Sequence, residues 1–158
     1  MLNKYLLLFL VSMIPLIELR GAVILAAGMD MPAVPALLVC MFGNMIPVPF
    51  IYFFARKVLV WGADKKYIGK FFRFCLEKGE KGGHKLVEKT GRGGLFVALM
   101  LFVGIPLPGT GAWTGTLAAS FLNMGIKSTT VAVSLGVAMA SAIMYLVSAG
   151  VFSVFSFL

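Results

Sequence analysis

Glu18 and Arg20 stand two positions apart in an otherwise apolar run, just after Pro15. Charges in such a run are costly in hydrocarbon, so they pair, face a cavity or take part in function. Glu18 has the chemistry of a coupling group, able to exchange a proton or a cation. Arg20 keeps its proton and offers a planar fork suited to carboxylate or phosphate. An ion pair that only holds the chain together is the structural alternative. A second set of residues lies in Val103–Gly115, V-G-I-P-L-P-G-T-G-A-W-T-G. Pro106, Pro108, Gly109 and Gly111 interrupt a stretch from Gly94 to Met124 that has no charge. Proline removes a donor and clashes with the preceding turn, and glycine weakens a helix interior. Thr110 is placed to cap a helix opening at Gly111, as Glu18 opens another. Two such N-termini aimed at one central space bind anions. Trp113 offers a flat apolar wall and Thr114 a hydroxyl, although ordinary packing accounts for Trp113 equally well. Gly43-Asn44 and Pro47-Val48-Pro49 should bend a third stretch and turn carbonyls, with Asn44, toward the interior.

The elements that position these residues must be membrane helices. The chain is 60% hydrophobic and 13% charged, with a mean hydropathy of +0.98, which makes it one membrane domain of 158 residues. Met1–Pro15 lacks a small-residue cleavage site and reads as mature structure. Hydrophobic segments cover residues 5–29, 33–61, 94–124 and 128–158. Backbone freed by Pro106–Gly111 cannot face lipid. The third segment therefore reads as a re-entrant hairpin with half-helices Leu95–Ile105 and Gly111–Leu122, each ~17 Å long, about half of a ~30 Å hydrocarbon core. A single helix kinked at its prolines is the alternative. The first segment repeats the design: Ile14-Pro15-Leu16 before Gly21-Ala22 matches Ile105-Pro106-Leu107 before Gly111-Ala112 at an offset of about 91. Asp30 matches Asn123 and Gly43 matches Gly136 at 93.

The expected fold is all-α and polytopic, with two inverted repeats, each a re-entrant hairpin (5–29 and 94–124) plus a spanning helix (33–61 and 128–158). Their tips would meet near the midplane, a plan known from transporters. A plain four-span topology satisfies the charge bias equally well. Residues 62–93 form a basic loop, since 11 of the 14 basic residues lie between Arg56 and Arg92. Such a loop belongs in the cytoplasm. Within it Ile68, Phe71, Phe72 and Cys75 recur at helical spacing, with Asp64 placed to cap, which predicts an amphipathic helix that Gly79, Gly82 and Gly83 then break. In the last segment Ser134, Ala138, Ser141 and Ser148 form a small-residue face for close packing, with serines available to bond across. Pairing of two chains as a homodimer stays open.

The sequence holds no metal-type His/Cys cluster, no phosphate-binding G-x-x-x-x-G-K-[ST] and, in its apolar segments, no paired carboxylates at close spacing. His84 reads as a solvated loop residue, and Cys40 and Cys75 as separate thiols. No enzyme activity, cofactor, metal or nucleic-acid partner is expected. Pro15–Ala22 (P-L-I-E-L-R-G-A) and Pro106–Gly115 (P-L-P-G-T-G-A-W-T-G) resemble the two hallmark segments of the small multi-drug export protein family, a likeness covering nearly the whole chain. That family is similar to the DedA/VTT membrane proteins. The similarity implies two facing re-entrant hairpins and, for some members, flipping of undecaprenyl phosphate or scrambling of lipids. DedA proteins carry arginines around the second-hairpin proline. The matching positions here, near Val103 and Gly109, are apolar or glycine, and Arg20 on the other hairpin stands in for them. The expected function is secondary transport of an amphipathic substrate across a bacterial-type cell membrane, coupled to protons through Glu18. The substrate is either a small drug or an anionic lipid carrier. The rival is a non-transporting membrane protein whose basic loop binds anionic lipid or a protein.

Overall fold

A computed structural model describes residues 2–15, 17–65, 69–107 and 110–155, which form helices and no strand. In chain order these are α1 (Leu2–Met13), α2 (Glu18–Gly28), α3 (Ala33–Met45), α4 (Pro47–Ala63), α5 (Gly69–Gly104), α6 (Ala112–Phe121) and α7 (Ile126–Phe155). Two stretches are long and apolar enough to cross a bilayer, Ala33–Ala63 and Ile126–Val147. They overlap the second and fourth hydrophobic segments. Their outer surface is apolar as well: Phe42 and Phe50 are 70% and 71% exposed. A helix that is hydrophobic all round suits lipid rather than water.

The other two apolar segments are each two helices. α1 stops at Met13 and α2 begins at Glu18, so the helix is interrupted between them. The expected break after Ile105 is present: α5 stops at Gly104 and α6 begins at Ala112. A single kinked helix through this stretch is therefore ruled out. In the first half α1 packs on α2 and α3; in the second α5 packs on α6 and α7. Across the halves, α2 meets α7 and α6 meets α4. Glycines permit the closest approaches. A Cβ on Gly43 would strike Ser12 and the Phe9 carbonyl of α1, and one on Gly136 would strike Val103 and the Met100 carbonyl of α5.

The far ends of α2 and α6 close in the same way. Asp30 (φ 52°) and Asn123 (φ 55°) both take the left-handed conformation. Met31 N donates to the Ala26 carbonyl at 3.1 Å, and Met124 N to the Ala119 carbonyl at 3.0 Å. Left-handed residues that turn orphan carbonyls into acceptors are a common helix ending. Each of these residues lies 93 positions from its counterpart. Lys4 Nζ donates to the Met29 carbonyl at 3.3 Å, a cation at the negative end of α2.

Two expectations about local structure need correction. Gly79, Gly82 and Gly83 do not break the helix of the basic segment; α5 runs through them and departs from helical geometry at Gly91 (φ 70°). Glycine costs only about 1 kcal/mol in a helix interior, whereas a left-handed residue ends the ladder outright. Asp64 ends α4 rather than opening the next helix. The α7 serines bond back along their own helix, Ser134 to the Thr130 carbonyl at 2.8 Å and Ser141 to the Val137 carbonyl at 2.7 Å, and Ser134 also bonds across, as expected, to Met45 Sδ of α3 at 3.7 Å. On the amphipathic stretch Phe71 is 66% exposed; Ile68 and the side chains of Phe72, Cys75, His84 and Ser148 lie outside the described residues.

Candidate substrate and coupling site

The two helix breaks meet, and the charges of the first satisfy the backbone of the second. Glu18 is the first residue of α2 and adopts φ 48°. A left-handed non-glycine residue costs about 1–2 kcal/mol, so the surrounding contacts must hold it there. Its carboxylate, 8% exposed as a residue, reaches the N-terminus of α6. Oε2 accepts from Ala112 N at 3.2 Å and Oε1 from Trp113 N at 3.0 Å. Two of the four unpaired donors at the head of α6 are thereby filled by a negative group, which the helix dipole also favours. Glycine is needed at 111 because a Cβ there would fall within the Glu18 carboxylate.

Arg20 serves the other side of the break. Its guanidinium donates to the carbonyls of Leu107 and Thr110, to the Ile105 carbonyl at 3.3 Å and to Thr110 Oγ1 at 2.8 Å. These acceptors lie past the end of α5, where the helix ladder has run out. Thr110 does not cap α6 as expected. Its hydroxyl turns back into the loop, within 2.8 Å of the Ile105 carbonyl and 2.9 Å of the Leu107 carbonyl. The nearby Glu18 carboxylate is the stronger acceptor and takes the capping role. The anion-binding end of α6 is thus occupied by the protein's own carboxylate.

The remaining predicted residues divide. Pro106 is half-buried in the loop; Pro108 and Gly109 lie outside the described residues. Thr114 Oγ1 faces the Gly111 carbonyl at 3.4 Å, a long contact. Trp113 presents its backbone to Glu18, while its ring lines an apolar cleft of about 310 Å³ between α4 and α6. Its buried Nε1 has no hydrogen-bond partner. Asn44 is 1% exposed and stands apart from the Glu18 and Arg20 contacts, with Oδ1 also unpartnered. Sequence reasoning missed Tyr52, whose hydroxyl donates to the Met124 carbonyl, and Ser120, whose hydroxyl donates to the Tyr52 carbonyl at 3.1 Å. Both tie α4 to α6. A buried tyrosine hydroxyl ordinarily needs a partner, which was the available signal.

Among the described residues no cluster of His, Cys, Asp and Glu is placed to hold a metal. Neither a curated protein nor a solved structure matches the chain. Residues 18–143 match the family model described as "putative small multi-drug export protein", and the chain belongs to that family.

Proposed function

We propose that this member of the small multi-drug export family is a secondary transporter of amphipathic molecules, built on two re-entrant hairpins whose tips meet at Glu18 and Arg20. In this reading α1–α2 is one hairpin and residues 91–121 the other. They enter from opposite faces as inverted repeats, and Ala33–Ala63 and Ile126–Val147 span. The matched helix endings at a separation of 93 and the parallel packing within each half support it. Irregular backbone at membrane depth is tolerated where protein buries it, and here the guanidinium of Arg20 does so.

The observation that carries the transport reading is the bonding of Glu18. Its buried carboxylate is held by two backbone N–H groups, and the nearest guanidinium is directed at carbonyls instead. A carboxylate so placed can release α6 and accept a proton or an amphipathic cation in its place. Export of a cationic small molecule with Glu18 as exchanging counter-charge follows directly. Flipping of an anionic lipid carrier is the second reading, and the cluster of donors on Arg20 favours it. An anion must first displace Glu18 from α6, which makes the cationic substrate the better fit.

Liposomes containing the protein, loaded in parallel with a cationic dye and a labelled lipid phosphate, test both. The dye is expected to move under a proton gradient, and Glu18→Gln to abolish the movement while the protein still purifies as a folded species. Dye movement by Glu18→Gln at the wild-type rate would remove Glu18 from the mechanism. Phosphate movement without dye movement would establish the second reading. If neither substrate moves and loss of the loop lysines is what abolishes partner binding, the chain is a binding module.

A further inference from the structure

The cleft between α4 and α6 touches the Glu18 site only through Trp113. Ile51, Phe54, Ala55 and Val58 of α4 and Trp113 and Leu117 of α6 make most of its wall. The same face of α4 continues beyond it: Ile51, Phe54, Val58 and Trp61 recur at spacings of three and four, and Lys65 follows two residues past the end of the helix. Trp61 is 59% exposed, and Lys65 Nζ lies 4.4 Å from its ring centroid. A Cβ on Gly69 would meet both the Ala63 carbonyl and the Arg73 guanidinium. A second cation therefore stands at the same end of α4.

From Ile51 to Trp61 the helix rises ~15 Å, half of a ~30 Å hydrocarbon core and so the depth of one leaflet. Tryptophan and lysine at the end of an apolar stripe are the residues that mark the membrane–water boundary. The charge at that boundary is one-sided. Asp64 adjoins Lys65, but residues 56–92 carry 11 cations against four carboxylates.

We propose that this groove binds one anionic phospholipid, with an acyl chain along the α4–α6 cleft and the headgroup phosphate against Lys65 and Arg73. The apolar wall takes the chain, the Trp61 ring covers the glycerol region, and the two cations select a negative headgroup. The site rests on the membrane setting of the proposed function and not on its transport step, so lipid retention reads it independently of any substrate.

The test uses the full chain purified in mild detergent and offered equal amounts of phosphatidylglycerol and phosphatidylcholine with the same acyl chains. Retained lipid is counted by native mass spectrometry. Wild type is expected to retain the anionic lipid preferentially. Lys65→Gln together with Arg73→Gln should cut that preference by about fivefold for each cation removed. Ala55→Trp, which fills the cleft, should lower retention of both lipids, and Val58→Phe makes the same test if the first variant does not elute as a single species. Lys127→Gln, a cation at the start of α7, should leave the preference intact. Equal retention of the two lipids by wild type would overturn the site. So would an unchanged preference in the double variant, or a loss in Lys127→Gln as large as that in the double variant.

Discussion

The two broken segments, Leu2–Asp30 and Gly91–Asn123, agree at their far ends and differ where they meet. At the far ends each closes on a left-handed polar residue with the same backbone bonds. At the meeting point the first has a short break and two charges. The second has a longer break, two prolines, two glycines and no charge. One tip is therefore rich in side-chain polarity and the other in exposed backbone. A buried polar group left without a partner costs about 1–3 kcal/mol, and a charge costs more, so neither tip is stable alone in an apolar setting. Juxtaposed, they complete each other. Two segments that agree at their far ends thus differ at one place, and the difference is what joins them there.

Breaking the donor side should have the largest effect. Arg20→Ala strips partners from the carbonyls of Ile105, Leu107 and Thr110 at once, and a loss of about 2–4 kcal/mol is expected. Thermal unfolding in detergent measures it. Arg20→Lys keeps the charge but not the fork, so it should recover less than half of that loss and should remain impaired in transport. Arg20→Ala unfolding within ~0.5 kcal/mol of wild type would show that the tips do not depend on each other.

The acceptor side is tested by bulk rather than by charge. Gly111→Ala places a methyl group in the Glu18 carboxylate, and should cost about 1–3 kcal/mol as the side chain is driven off α6. Gly125→Ala meets nothing within 4 Å and should be close to neutral. The Gly111→Ala penalty should shrink in a Glu18→Ala background, because the clash has been removed. Equal penalties in both backgrounds would mean that the two sites are independent.

Much of this arrangement was legible in the chain where the physics is local. Two prolines and two glycines within six residues, Pro106–Gly111, interrupt a helix far more firmly than scattered glycines do, so the break between α5 and α6 fell within one or two residues of its expected place. The spanning stretches follow from hydropathy and length. What joins the tips was not legible, because Glu18 and Arg20 reach partners between 85 and 95 positions away. From sequence alone Thr110 is the natural cap for α6, and only the folded chain brings a better acceptor to the same N–H groups. Gly79, Gly82 and Gly83 misled for a related reason: a modest propensity cost was read as a stop, when the stop was a single left-handed glycine at 91. Tyr52 and Ser120 were not legible either, because their acceptors are backbone atoms 72 and 68 positions away.

The smallest effect is expected at the far ends, where the segments already agree. Asp30→Asn gives the first segment the residue that the second carries at 123. Asparagine tolerates the left-handed conformation as well as aspartate does, so the helix ending should survive. Asp30 is exposed, and removing its charge should change stability by no more than ~0.5 kcal/mol in either direction. Thermal unfolding of this variant beside wild type is the measurement. Asp30→Ala provides the contrast, since alanine gains nothing locally in that conformation and should lose about 1 kcal/mol. If Asp30→Asn fell as far as Asp30→Ala, the carboxylate itself would be holding the α2 ending. The likeness between the two ends would then be one of backbone shape, reached through different side-chain chemistry.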